Sequence, residues 1–319
     1  MIPNERGKSP SFIVLLGLVS FVLAECAQAQ TGSFRTEYQY IRTGSFFDDL
    51  YEFDYANTDT HALVLSGDYT FAKRWTVYAS IPYVQKRHTG GDPHNPNDDF
   101  WVDFKPPDLR FIDDEKFHGG FQDLSVGFKY LALEGPVTLS PFIGYGVPTD
   151  NYPIYGKAAI GANLWNLPVG VAFTAQPYFS DWYLLGNIAY VFSEKPLDVN
   201  VDYWLGYIST GYYFTPRFSA NIFLNGKSVR KGLKMPWDFT DDPTYSNYPE
   251  AFDTPEWWQH DRLVRHRFAN LGVGFDYYLN RNYQLSGSWF TGIWADQSNE
   301  VDWAVTFALT RYWGGDLDD

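Results

Sequence analysis

Residues 266–313 read HRFANLGVGFDYYLNRNYQLSGSWFTGIWADQSNEVDWAVTFALTRYW, and this stretch decides the fold. It contains three runs of alternation. In the first, Ala269, Leu271, Val273, Phe275 and Tyr277 alternate with Phe268, Asn270, Gly272, Gly274 and Asp276. In the second, Tyr283, Leu285, Trp289 and Ile293 oppose Gln284, Ser286, Ser288 and Gly292. In the third, Val301, Trp303, Val305, Phe307 and Leu309 oppose Asp302, Ala304, Thr306 and Thr310. A period of two places one apolar face and one small or polar face on each strand. The first connection, Leu279 to Asn282, is tight, and the second, Ala295 to Glu300, is longer and polar. Alternating short and long connections, with bulky aromatics near strand ends, are the pattern of a transmembrane β-barrel.

The rest of the chain repeats this unit. Strands are expected at Ser33–Arg42, His61–Ala72, from Trp75 to Tyr83, at Phe121–Leu133, from Val137 to Tyr145, and at Leu167–Phe179, Trp182–Phe192, Val201–Phe214 and Phe218–Gly226. Tight turns fall at Lys73-Arg74, Glu134-Gly135 and Thr215-Pro216-Arg217. A further strand at Tyr155–Asn166 would make thirteen, whereas single-chain bacterial barrels have an even number. Pro148 to Asn166 is therefore expected to be an outer loop, with a helical turn near Lys157-Ala158-Ala159. The fold class is all-β: a transmembrane antiparallel up-and-down β-barrel of about 12 strands with two long extracellular loops, Gln85–Gly120 and Gly226–Arg265. In the second loop, Thr254 is an N-cap followed by Pro255, so Pro255 to Val264 is expected to be a short helix.

Composition fits. Aromatics make up 19% of the chain, yet mean hydropathy is only -0.31, because Gly, Ser, Thr, Asn and Asp dilute them. Arg6 and Lys8 precede an apolar run, Phe12 to Ala24, and Ala27-Gln28-Ala29 follows. That is a secretory signal peptide over residues 1–29, leaving residues 30–319 as the barrel. Cleavage there removes Cys26, the only cysteine. The net charge of -14 argues against nucleic acid as a partner. Much of the acid lies in expected surface loops, where it would be solvated or would bridge through divalent cations to lipopolysaccharide phosphates.

The register assigns an inward face. Its expected solute path comprises Asp68, Tyr78, Asp123, Lys129, Phe142, Tyr178, Asn187, Asn221, Asn270, Asp276, Tyr278, Phe290 and Trp294. Charges are few and rings and amides many, which suits a small uncharged or aromatic solute. The four charged members are expected to pair across the lumen. Trp237, Trp257 and Trp258 in the second long loop are expected to cap the mouth, because large rings contribute stability only when buried. The other burial sites open to them are the first long loop and the lipid boundary.

Further features resemble the outer-membrane family named for meta-pathway phenol degradation. They include Gly67-Asp68-Tyr69 with Trp75 to Tyr83, Gly120-Phe121-Gln122-Asp123-Leu124, Val147-Pro148-Thr149-Asp150, Tyr212 to Arg217, and His260-Asp261-Arg262-Leu263. The resemblance spans most of the mature chain and implies a transporter of small aromatic or hydrophobic compounds. It implies a Gram-negative outer membrane as the location, with its lipid, lipopolysaccharide and barrel-assembly machinery as partners. The family's barrels usually end on an aromatic; here Gly314 to Asp319 follow Trp313.

No catalytic motif or metal spacing emerges, and no cofactor is expected. His260 lies in the expected helix and His266 beside it, both expected as surface residues. Two other classes of function remain: a structural or adhesive barrel, and an outer-membrane phospholipase-type hydrolase. His61 is the one histidine clearly at a strand end, and the register turns it outward with no serine partner.

Overall fold

The structure is a computed structural model that describes residues 31–47, 52–53, 57–90, 110–178, 180–235, 238 and 254–314. The signal sequence and Trp237 lie outside the described residues. Fourteen strands form one sheet: β1 (Thr31–Phe47), β2 (Glu52–Phe53), β3 (Asn57–Thr70), β4 (Trp75–Thr89), β5 (His118–Phe121), β6 (Asp123–Tyr130) and β7 (Val137–Pro148), followed by β8 (Asn166–Ala175), β9 (Trp182–Ser193), β10 (Tyr203–Thr215), β11 (Phe218–Val229), β12 (Arg267–Asn280), β13 (Tyr283–Asp296) and β14 (Ser298–Trp313). Apart from the two short pieces, β2 and β5, twelve antiparallel strands follow in chain order, and β14 pairs with β1 to close the barrel. Residues 149–165 contribute no strand, so the even count holds.

β5 and β6 lie end to end on β4 and break at Gln122, opposite Pro82. Proline has no N–H for a ladder, so a break in pairing there has a local cause. Helix is confined to the long-loop end. Trp257–Gln259 forms a 3-10 turn and His260–Leu263 one α-turn, with Thr254 Oγ1 accepting the Trp257 N–H at 3.3 Å. Near Lys157 the chain makes only a turn, closed by the Ala159 N–H to the Gly156 carbonyl at 3.1 Å.

The outer surface carries the apolar alternates. Val126, Phe128, Ile143, Ile188, Ile222, Val273, Trp289 and Phe307 are exposed although they lie mid-strand. Only a non-aqueous surround makes that favourable, at about 25 cal/mol per Å² of apolar area. Aromatic pairs ring the short-turn end: Trp75 with Tyr130 at 4.8 Å between centroids, and Trp182 with Tyr212 at 5.2 Å. Others ring the long-loop end: Tyr83 with Phe121 at 5.3 Å, and Tyr145 with Trp165. For β10, whose outward face sequence alone leaves open, Trp204 and Ile208 point outward and Tyr203 and Tyr207 inward.

The structure corrects the expected register in four places. Trp294 lies on the outer face, not the lumen. It pairs with Ala269 while Gly292 pairs with Asn270, so Ile293 is a bulge that moves Trp294 onto the outward side, where it is 49% exposed. Asp302 is a second bulge: Val301 pairs with Thr43 and Trp303 with Arg42, which turns Val301 inward. Tyr178 sits in the β8–β9 turn, 76% exposed, because β8 stops at Ala175 before Pro177. The polar gap Ala295–Glu300 is mostly strand, and Gln297 alone makes the turn, at φ 54°.

Candidate functional site

Inside the barrel, the half nearer the short turns holds hydrogen-bonded groups between neighbouring strands. Asp276 accepts from Gln284 at 2.5 Å and from Ser286 at 2.6 Å, and Tyr312 donates to Gln284. Ser33 donates to Asp68, and Thr138 meets Thr174 at 2.6 Å. Tyr78 covers Gly127 and Gly144, where an added Cβ would overlap its ring or hydroxyl; absent side chains on β6 and β7 make room for the phenol. Asn187 and Asn221 lie on the same inner face, and Phe142 covers Gly170. Arg35 pairs with Glu37, a charged pair that the expected inner face lacked.

Tyr207 meets Phe223 at 5.8 Å, and Phe223 meets Phe290 at 6.1 Å, forming an aromatic tier above the hydrogen-bonded one. Tyr183 and Tyr213, 5.0 Å apart, continue the ring belt, and Tyr278 lies beside Tyr213.

The expected pairing of Asp68, Asp123, Lys129 and Asp276 across the lumen is not found among the described ion pairs. Asp68 and Asp276 take donors from adjacent strands, and Asp123 takes the Tyr152 hydroxyl at 2.5 Å. A nearby neutral donor satisfies a carboxylate without the desolvation of a second charge. Lys129 lies inward between Thr76 and Phe142.

The stretch expected to be an outer loop folds into the mouth. Tyr152 and Ile160 pack on Ala62, Val64 and Val84, which all lie on the inner face of β3 and β4. Gln122 holds the Ile160 carbonyl at 2.6 Å. Burial, with Asp123 beside it, raises the pKa of the Tyr152 hydroxyl above the usual phenol range. The loop then crosses the barrel: Lys157 Nζ donates to Asn299 Oδ1 of β14 at 3.3 Å and lies 4.5 Å from the Phe46 ring centroid. Asp113 fixes its apex by accepting the N–H groups of Lys157 at 2.9 Å and Ala158 at 2.8 Å, and Asp261 accepts that of Gly156 at 3.1 Å.

A second layer packs against the first. Phe111, Trp257, Trp258 and Val264 form a buried cluster with Tyr155, Leu233 and Met235 against it. Trp257 and Trp258, 5% and 6% exposed, are thus buried between the two long loops, one of the places expected for them. Gln297 at the β13–β14 turn is fully buried: its amide donates to the Met235 carbonyl at 2.9 Å and accepts its N–H at 2.7 Å. His266 faces two carbonyls, Gln297 at 2.7 Å and Asp261 at 2.8 Å.

Several cavities flank the inward loop. One, of about 640 Å³, opens between Tyr145, Val147, Tyr152, Arg262 and Glu194. Another, of about 450 Å³, lies inside the wall between Ile41, Lys86, Lys157, Asn270 and Phe290. The inward set read from sequence lacked Tyr152, Lys157, Lys86, Lys227 and Ile160. The signal was present: Pro148–Asn166 holds Tyr152, Ile154, Tyr155 and Ile160, more apolar area than a free loop carries. His61, the histidine considered for a hydrolase, is outward; its Nδ1 meets the Tyr38 hydroxyl at 2.7 Å and its ring lies 5.3 Å from Phe117.

A closed twelve-stranded barrel with loops folded into one mouth is the architecture of outer-membrane channels. Among solved structures, an outer membrane channel from Pseudomonas putida F1 superposes with a TM-score of 0.64 at 14% identity, covering 91% of this chain and 98% of that one. The toluene transporter TodX of P. putida is a looser match, with a TM-score of 0.41 at 7% identity over 90% of each chain. The first likeness bears on the fold alone. No protein-family model matches the chain, and no curated protein matches it.

Proposed function

We propose that the chain is an outer-membrane passage for small aromatic or hydrophobic solutes in a Gram-negative cell. It would be exported by residues 1–29 and set among lipid and lipopolysaccharide, with the long loops outside. The observation that carries this reading is the inner face itself. Rings of Tyr207, Phe223 and Phe290 stand beneath a mouth layered with Tyr152, Trp257 and Trp258. Stacking on such rings and single hydrogen bonds to Asn187, Asn221 and Tyr278 would guide a flat solute. The Trp pair would act as a cap that the solute meets first, and the resemblance to the phenol-degradation family points to the same class.

Liposome swelling with sugars, amino acids and small aromatic alcohols and amides tests the proposal. Aromatics should enter faster than sugars of equal size. A folded barrel that admits none of them would instead support a structural or adhesive role, which the two-layered mouth also suits.

A further inference from the structure

We infer that the cavity between Lys86 and Lys157 is an anion subsite, so that the preferred solute is an aromatic or apolar molecule bearing a carboxylate. This rests on the passage proposed above and replaces the expectation of an uncharged solute.

The cavity of about 450 Å³ is within the size range of small-molecule pockets. Its lining comes from inward positions of β1, β3, β4 and β11 to β14, with Lys157 closing it from the inward loop. Part of the lining is apolar: Ile41, Phe268, Phe290 and Val301. The lining also carries two ammonium groups, Lys86 of β4 and Lys157 of the inward loop, and the amides of Asn225 and Asn270. Among the described residues, no acidic side chain lines it.

Nearby charges sharpen the case. Lys227 on β11, with its Nζ 4.3 Å from the Tyr203 ring centroid, adds positive potential that reaches His266. Burial and then Lys227 bring the pKa of His266 down to about 4, against the two carbonyls it faces, only one of which a neutral ring can donate to. Burial works against the charge on Lys86 and Lys157 repels it, while Asp261 and Asp113 of the loop layer favour it; their carboxylates also accept the backbone N–H groups of residues 156–158. Ammonium groups facing a low-dielectric cavity favour an anion, and charge-assisted hydrogen bonds are about twice as strong as neutral ones. A ring against the apolar lining and a carboxylate on the lysines would occupy the cavity together, so it offers surface for both halves of an aromatic acid.

The test uses the full mature barrel, refolded in detergent, with benzoate, benzamide and benzamidine. The three have nearly one shape and differ in charge. Titration calorimetry at neutral pH should rank benzoate first by about tenfold over benzamide, with benzamidine weakest. The paired change Lys86→Met with Lys157→Met should erase that preference, and Lys86→Arg with Lys157→Arg should keep it. Equal binding of benzoate and benzamide overturns the inference, as does a preference that survives the methionine pair. If the methionine pair does not fold, judged by heat-dependent gel mobility, the wild-type ranking decides alone. Benzamide entry into liposomes without a benzoate preference would sink this subsite but leave the passage standing. Benzoate binding with no entry of any probe would do the reverse.

Discussion

Lys157, at the apex of the inward loop, reaches across the barrel to Asn299 on β14, with Nζ 3.3 Å from Oδ1. The bond ties a segment that leaves the wall at β7 to the strand that closes the sheet. It is charge-assisted and partly buried, and worth about 1 kcal/mol. Lys157→Ala should therefore release the loop without unfolding the barrel. Single-channel conductance should rise and become noisier, and Asn299→Ala should give the same effect. Unchanged traces in both variants would mean that the bond does not hold the mouth.

The two faces of the wall predict opposite tolerance of charge. Val126 is outward and 44% exposed, and Ser125 is its inward neighbour. Val126→Lys should cost about 2–4 kcal/mol in bilayers if the site lies near the midplane, whereas Ser125→Lys should be mild. Trp294→Lys should behave like an outward change because of the Ile293 bulge. Urea titration of folding into vesicles reads all three, and equal midpoints for Val126→Lys and Ser125→Lys would reject the register.

Trp258 is buried against Phe111, with centroids 6.2 Å apart. Trp258→Ala should cost the loop cluster about 3–5 kcal/mol while the barrel ladder remains. Hydrogen exchange should speed up at residues 110–113 and 254–264 and stay slow in β12 to β14. Faster exchange throughout the strands would show that the loops and the wall fold as one unit.

Acid should loosen the same mouth. His266 has a folded pKa of about 4, below its ordinary 6.5, chiefly from burial. Between those values the unfolded or released segment binds the proton more readily than the packed one. The stability contributed by neutral His266 is thus full above pH 6.5 and is lost as pH falls toward 4. Conductance should rise over that window, and His266→Asn should flatten the dependence. A wild-type response centred outside the window would assign it to another group.

The barrel was legible because period-two alternation survives in most of the long strands, and β12 shows it without interruption from Ala269 to Tyr277. The errors arose where one residue breaks the count. A bulge at Ile293 or Asp302 leaves no compositional mark, yet it transfers Trp294 and Val301 between faces. The inward path of Pro148–Asn166 was missed for a different reason: strand parity settles how many segments cross, and says nothing about where a connection lies. Lys86 and Lys227 escaped notice because each lies just beyond the expected end of its strand, Tyr83 and Gly226, whereas β4 runs on to Thr89 and β11 to Val229.

The pairing of β1 with β14 joins residues as distant as Gly32 and Trp313. No other seam in the sheet spans so much chain, and its loop-closure entropy must be met before its hydrogen bonds form. Until the last strand has been synthesised, β1 presents a bare edge that any other strand can capture. A truncation inside β14 would leave two such edges and favour aggregation over a smaller barrel. Biogenesis of this fold is therefore all-or-none in β14, the strand that seals the sheet.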